Sequence, residues 1–176
     1  KIIYFATIFI MLLGAVMSGG SNYFEGSAFN HTFINDNFAL KIKMLILLSV
    51  SLVLVVSYRR LTSNNLLVFE FPILVLCSTI GMLVMISAND LIVLYISIEL
   101  QSLSLYVLVA LRRGSIKGSE AALKYFILGS IASAVILYGC SMVYSVVGAT
   151  NYEIIKQFSD QSFDNLILSL GLVLII

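Results

Sequence analysis

The chain has 176 residues, 60% of them hydrophobic and 11% charged, with a mean hydropathy of +1.06. A soluble domain of this length has no use for so much apolar surface, so the composition points to an all-α, polytopic transmembrane helix bundle. A net charge of +1 excludes the strong positive field by which proteins hold nucleic acid.

Taken in order, the first apolar run covers about 2–17. Its small residues Ala15, Ser18, Gly19 and Gly20 resemble a signal-peptide cleavage region. A retained helix is the preferred reading, because the polytopic chain that follows needs no cleavable signal. A polar, glycine-rich loop carrying Glu25 and His31 comes next. The second span is expected over about 33–58, with Asp36, Lys41 and Lys43 at its interface and Arg59-Arg60 closing it. The third is expected over about 66–87, with Pro72 in its first turns, where proline is tolerated. Asn89-Asp90 caps a fourth over about 90–111, and a fifth covers about 118–147. Gly129, Ser130, Ala132, Ser133, Ala134 and Gly139 give that fifth helix a small-residue side suited to close helix contact. An amphipathic connector leads to 164–176, about 13 residues, where a span needs ~20. The expectation is a single membrane domain of five full spans and a partial sixth, completed by a separate chain.

Charge sets the orientation. Alternating spans put Lys1, Arg59, Arg60, Arg112, Arg113 and Lys117 on one side, and Glu25, Asp90, Glu153, Lys156, Asp160 and Asp164 on the other. The basic side should be the cytoplasm or the mitochondrial matrix.

Few side chains can carry chemistry. Cys77 and Cys140 lie in apolar segments without CxxC spacing and read as small core residues. His31 is the single histidine and reads as a solvated surface group, so no metal site is expected. No nucleotide, flavin or cluster motif occurs, and no cofactor is expected in this chain. The exception is Glu99, nine residues past Asp90 and thus ~13–14 Å along the helix, near the midplane of a ~30 Å hydrocarbon core. A carboxylate at that depth is costly and marks an ion or proton path by default. Tyr95, Ser102 and Tyr106 share its helical face and form a polar stripe. Lys124, two turns into the fifth helix, is placed either to snorkel to the surface or to turn inward as a proton carrier. Glu120 can pair with it at i, i+4, and Glu70 reads as a first-turn residue of the third span.

Two stretches carry a family resemblance. NDLIVLYISIELQSLSLYVLVAL, from Asn89, resembles the fifth helix of the antiporter-like subunits of respiratory complex I, and SEAALKYFILGSIASAVILYGCSMVYSVVGAT, from Ser119, resembles their sixth. The combination is most similar to the chain 2 family of NADH–ubiquinone oxidoreductase, the bacterial subunit N type. The resemblance is good over about 33–147 and looser elsewhere. It implies a proton-translocating membrane subunit with an inverted-repeat fold, in which Glu99 matches the helix-five glutamate and Lys124 the lysine of the LKYF stretch. The partner lysine on the family's broken helix seven has no match here.

The resemblance also implies a setting. Other membrane-arm subunits of complex I and lipids such as cardiolipin would be the partners. FMN, iron–sulfur clusters and ubiquinone would bind elsewhere in the complex. The abundance of Ile, Phe, Asn and Tyr codons favours a mitochondrial genome, hence the mitochondrial inner membrane with basic loops in the matrix. Two alternatives stand beside this expectation: a related cation/proton antiporter or membrane hydrogenase subunit, and a structural membrane-arm remnant without a proton path of its own.

Overall fold

The computed structural model describes residues 2–19, 26–63, 68–112, 114–161 and 165–176. The charges Lys1, Glu25, Arg113 and Asp164 lie outside the described residues. Among the described residues, four helices are long and apolar enough to cross a membrane: α1 (Ile2–Gly19), α2 (Asn37–Ser63), α4 (Leu91–Val109) and α5 (Ile116–Val147). Between α2 and α4 runs α3 (Glu70–Ile86), whose 17 residues sit at the lower end of spanning length. The amphipathic α6 (Tyr152–Gln161) and the short apolar α7 (Leu166–Ile175) follow α5.

The start of the second span differs from expectation. Phe33–Asn35 is not helical. It forms strand β2, paired antiparallel with β1 (Gly26–Ala28). The helix begins only after Asp36, whose carboxylate accepts from Ala39 N at 2.8 Å and acts as its cap. Phe33 and Ile34 are apolar enough to extend the helical pattern, but their backbone groups find partners elsewhere: Ile34 N donates to Ser87 O at 2.8 Å. Lys43 then fastens the hairpin to the helix by donating to Asn35 Oδ1 at 2.7 Å and lying 4.8 Å from the centre of the Phe33 ring. At its far end α2 continues past Arg59-Arg60 to Ser63.

Helix packing follows the spacing of residue size. Tyr4, Ile8, Met11 and Ala15 form one buried stripe of α1 that meets Leu47 and Leu54 of α2, at i, i+4, i+7 intervals of a single helical face. The α3–α4 contact is built on small and hydroxylated residues. Ser78, Thr79, Ser97 and Ser104 are buried. Thr79, Ser97 and Ser104 return their hydroxyls to their own helices, at Val75 O (2.7 Å), Val93 O (2.6 Å) and Leu100 O (2.8 Å). Such self-satisfied hydroxyls can be buried without an unpaired polar group, and their size lets backbones approach. A second cluster joins Cys140 and Val143 of α5 to Leu91, Ile155 and Leu168, so α6 and α7 both fold back on the end of α5. Both cysteines are free thiols. Large apolar side chains such as Phe5, Phe9, Leu52, Val56, Leu128 and Ile131 point outward, as they do where lipid or neighbouring helices replace water.

One end of the bundle is tied by a polar knot. The hairpin, the turn at 87–90 and the segment after α5 exchange backbone bonds: Asn89 N to Thr32 O (2.9 Å), Leu91 N to Thr150 O (2.9 Å) and Tyr152 N to Asn89 O (3.2 Å). The described parts of three loops that the alternating charge pattern assigns to one side therefore lie together. At the knot, His31 is exposed at a tip where Phe29, Asn30 and His31 are all left-handed. Its carbonyl accepts from the side chains of Asn89 and Asn151. Burial, aided by the Asp90 carboxylate and then by Cys140, pushes the Tyr152 phenol up to about 12.

Candidate functional site: a carboxylate between two spans

Helix α4 owes its frame to Asp90, whose Oδ1 accepts from Ile92 N (2.8 Å) and Val93 N (3.4 Å), and to an uninterrupted run free of Gly and Pro. The helix has two working faces. Ser97 and Gln101 meet α3, where Gly81 comes so close that a Cβ would stand 2.8 Å from Ser97 O and Gln101 N. On the other side Tyr95, Glu99 and Tyr106 meet α5.

There the structure joins two of the residues expected to form the stripe. Ser133 Oγ of α5 lies within hydrogen-bond reach of both Glu99 Oε1 and, at 3.2 Å, the Tyr95 hydroxyl. Glu99 is half-buried at this contact. Tyr106 lies two turns further on and joins a different group. Its ring stands edge-on to Tyr125 (4.9 Å between centroids) and Phe126 (5.6 Å), and its hydroxyl occupies the space a side chain at Gly129 would fill. Ser102 is half-buried between these two groups.

Lys124 is not brought to Glu99. It donates to Glu120 Oε1 at 2.6 Å on its own helix, and the two side chains are 70% and 59% exposed. Nine residues separate Lys124 from Ser133, ~13–14 Å along α5, beyond a lysine's reach. The i, i+4 pair with Glu120 matches the sequence expectation. Glu70 occupies the first turn of α3, as its position suggested, at the same end of the bundle as Glu120 and Lys124.

Sequence reasoning passed over Ser133, which it counted only as a small residue. The one signal was its place on the Gly129–Gly139 stripe, the face of α5 that had to approach another helix. Also missed was a cavity of about 560 Å³ beside the polar knot, lined by His31, Asp90, Tyr144, Thr150, Asn151 and Glu153 among others.

A half-buried carboxylate between two apolar spans, hydrogen-bonded through one hydroxyl to another, is suited to holding and passing a proton. It belongs to a membrane protein. The transmembrane family model "NADH:quinone oxidoreductase/Mrp antiporter" matches residues 88–176, and the chain belongs to that family. Among its relatives is NADH-quinone oxidoreductase subunit N of Rhodospirillum rubrum, 49% identical over 148 residues, which are 84% of this chain and 30% of the relative. Subunit N of Rhodobacter capsulatus is 41% identical over 175 residues, 99% of this chain and 36% of the relative. Among solved structures, respiratory complex I from Thermus thermophilus with bound aureothin aligns over 98% of this chain and 36% of its own, with a TM-score of 0.76 at 27% identity. The membrane-bound sulfane sulfur reductase, an archaeal respiratory membrane complex, shares the fold with a TM-score of 0.73 at 19% identity. The chain thus spans about a third of the length of the relatives it matches.

Proposed function

We propose that this chain is an antiporter-like, N-type membrane-arm component of a respiratory NADH:quinone oxidoreductase and takes part in proton translocation. The observation that carries the reading is the Glu99 carboxylate at mid-depth of an apolar helix, hydrogen-bonded across to a second span. Similarity to subunit N across most of the chain supports the same assignment. In this reading the chain holds no redox group. FMN, iron–sulfur clusters and the quinone bind to other subunits, which with lipids such as cardiolipin are its partners. Helix α3 serves as a further span beside the four longer helices, and α7 as part of another, within an inverted-repeat fold. The basic ends at Arg59-Arg60 and Arg112–Lys117 face the inside: the matrix if the membrane is the mitochondrial inner membrane, as the amino-acid bias suggests, or the cytoplasm if it is bacterial, as in the relatives.

The test is Glu99→Gln in the assembled complex, which keeps the shape of the side chain and removes its titration. Assembly should persist while proton pumping falls, with electron transfer falling too where the two are tightly coupled. A second reading is a membrane-arm element without its own proton path. One observation favours it: Lys124 is engaged by Glu120 rather than by Glu99. Normal pumping in an assembled Glu99→Gln complex would decide for this second reading.

A further inference from the structure

We infer that Ser133 is a positioning and relay residue for Glu99, passing protons between that carboxylate and the Tyr95 hydroxyl; the inference rests on the proton-handling role proposed for Glu99. The geometry is specific. The hydroxyls of Thr79, Ser97, Ser104 and Ser130 bond back to carbonyls of their own helices. That of Ser133 instead reaches across to α4, where it meets Glu99 Oε1 and the Tyr95 oxygen together.

A serine hydroxyl has one proton and two lone pairs, so it can donate to one partner while accepting from the other. An ionised Glu99 only accepts. The chain then runs from the Tyr95 hydroxyl to Ser133 and from Ser133 to Glu99. A protonated Glu99 donates, and the same three groups are satisfied with every bond reversed. Both protonation states of the carboxyl therefore find a complete hydrogen-bond chain without any heavy atom moving.

Passage of one proton converts one polarity into the other. A proton arriving from water at the Tyr95 oxygen releases the phenol's own proton to Ser133, and the Ser133 proton passes to the carboxylate. Each hydroxyl gains one O–H bond and loses one, Glu99 gains one, and no electrons are transferred. Tyr95 lies one turn nearer than Glu99 to the Asp90 end of α4. In that direction a cleft of about 500 Å³ between α4 and α5 is lined by Ile92, Leu137, Cys140, Ser141, Tyr144 and Thr150. Its hydroxyl groups offer partners for the water that supplies the proton.

The experiment compares Ser133→Ala, Ser133→Thr and Glu99→Gln in the assembled complex, reading proton pumping and the infrared carbonyl stretch of protonated Glu99. The band is identified by its loss in Glu99→Gln. Ser133→Ala should lower pumping about tenfold, the rate equivalent of one lost hydrogen bond to a charged group, and shift that band to higher frequency, because a hydrogen-bond partner is gone. Ser133→Thr, which keeps the hydroxyl, should recover both. An inactive Glu99→Gln complex together with full pumping in Ser133→Ala would overturn the relay and leave the role of Glu99 standing. A Ser133→Thr complex as defective as Ser133→Ala would also overturn it. Full pumping in Glu99→Gln would instead remove the reading beneath it.

Discussion

Thr150 donates a 2.6 Å hydrogen bond to Asp90 Oδ2 across 60 positions of sequence, while the other oxygen of the same carboxylate caps α4. One buried side chain, 6% exposed, thereby fixes both the start of the helix that carries Glu99 and the segment that follows α5. Asp90→Ala removes the cap and leaves the Thr150 hydroxyl without its acceptor. The expected loss is about 2–4 kcal/mol of stability, read as a lowered unfolding temperature of the complex. Asp90→Asn keeps a capping oxygen and should lose less.

Close approach of α3 and α4 depends on Gly81. A Cβ there would meet backbone atoms at 2.8 Å, and backbone cannot step aside as a flexible side-chain tip can. Gly81→Leu should separate the two helices, cost about 1–3 kcal/mol or more, and reduce the yield of assembled complex. Gly139 faces α7 in the same manner, with Gly171 O at 2.8 Å from its would-be Cβ. Gly139→Leu should loosen α7 from α5, which disulfide trapping between engineered cysteines on the two helices would detect as a slower reaction.

Lys124 and Glu120 form an exposed ion pair, and such pairs contribute little. Glu120→Gln should change stability by no more than about 0.5 kcal/mol. Lys124→Met is the informative change. If the lysine turns inward during turnover, pumping falls several-fold while Glu120→Gln remains near normal. Equal, normal pumping in both variants assigns Lys124 to the surface of α5.

Tyr152 has a pH signature. Its phenol is raised from 10.0 to about 12, mainly by burial and next by Asp90, so the folded state disfavours the phenolate. The unfolded chain loses this proton near pH 10 and the folded chain only near 12. The contribution to stability is complete below pH 10 and is lost as pH rises from there to 12. Tyr152→Phe should flatten the stability profile over that window and remove one late-titrating phenol from the ultraviolet titration.

Much of the architecture was legible in the sequence because a bilayer restricts the choices. Backbone groups in hydrocarbon must be satisfied internally, so long apolar runs become helices, and Asp90 and the polar stretches mark where they begin and end. The place of Glu99 midway along α4 follows from counting residues along such a helix. The i, i+4 reach of Lys124 to Glu120 is equally local. What failed was decided by contacts distant in sequence. Phe33–Asn35 reads as helix until the hairpin and Ser87 supply other backbone partners. Tyr106 shares a helical face with Glu99, yet the gap over Gly129 draws its hydroxyl toward another group. Ser133 lies 34 positions from Glu99. Periodicity says which residues share a face of one helix, but only the packing of α4 on α5 decides which residues two faces bring together. The sequence by itself determined a carboxylate midway along an apolar helix with Tyr95 on the same face; the tertiary structure decided that Ser133 of a second helix would join the two.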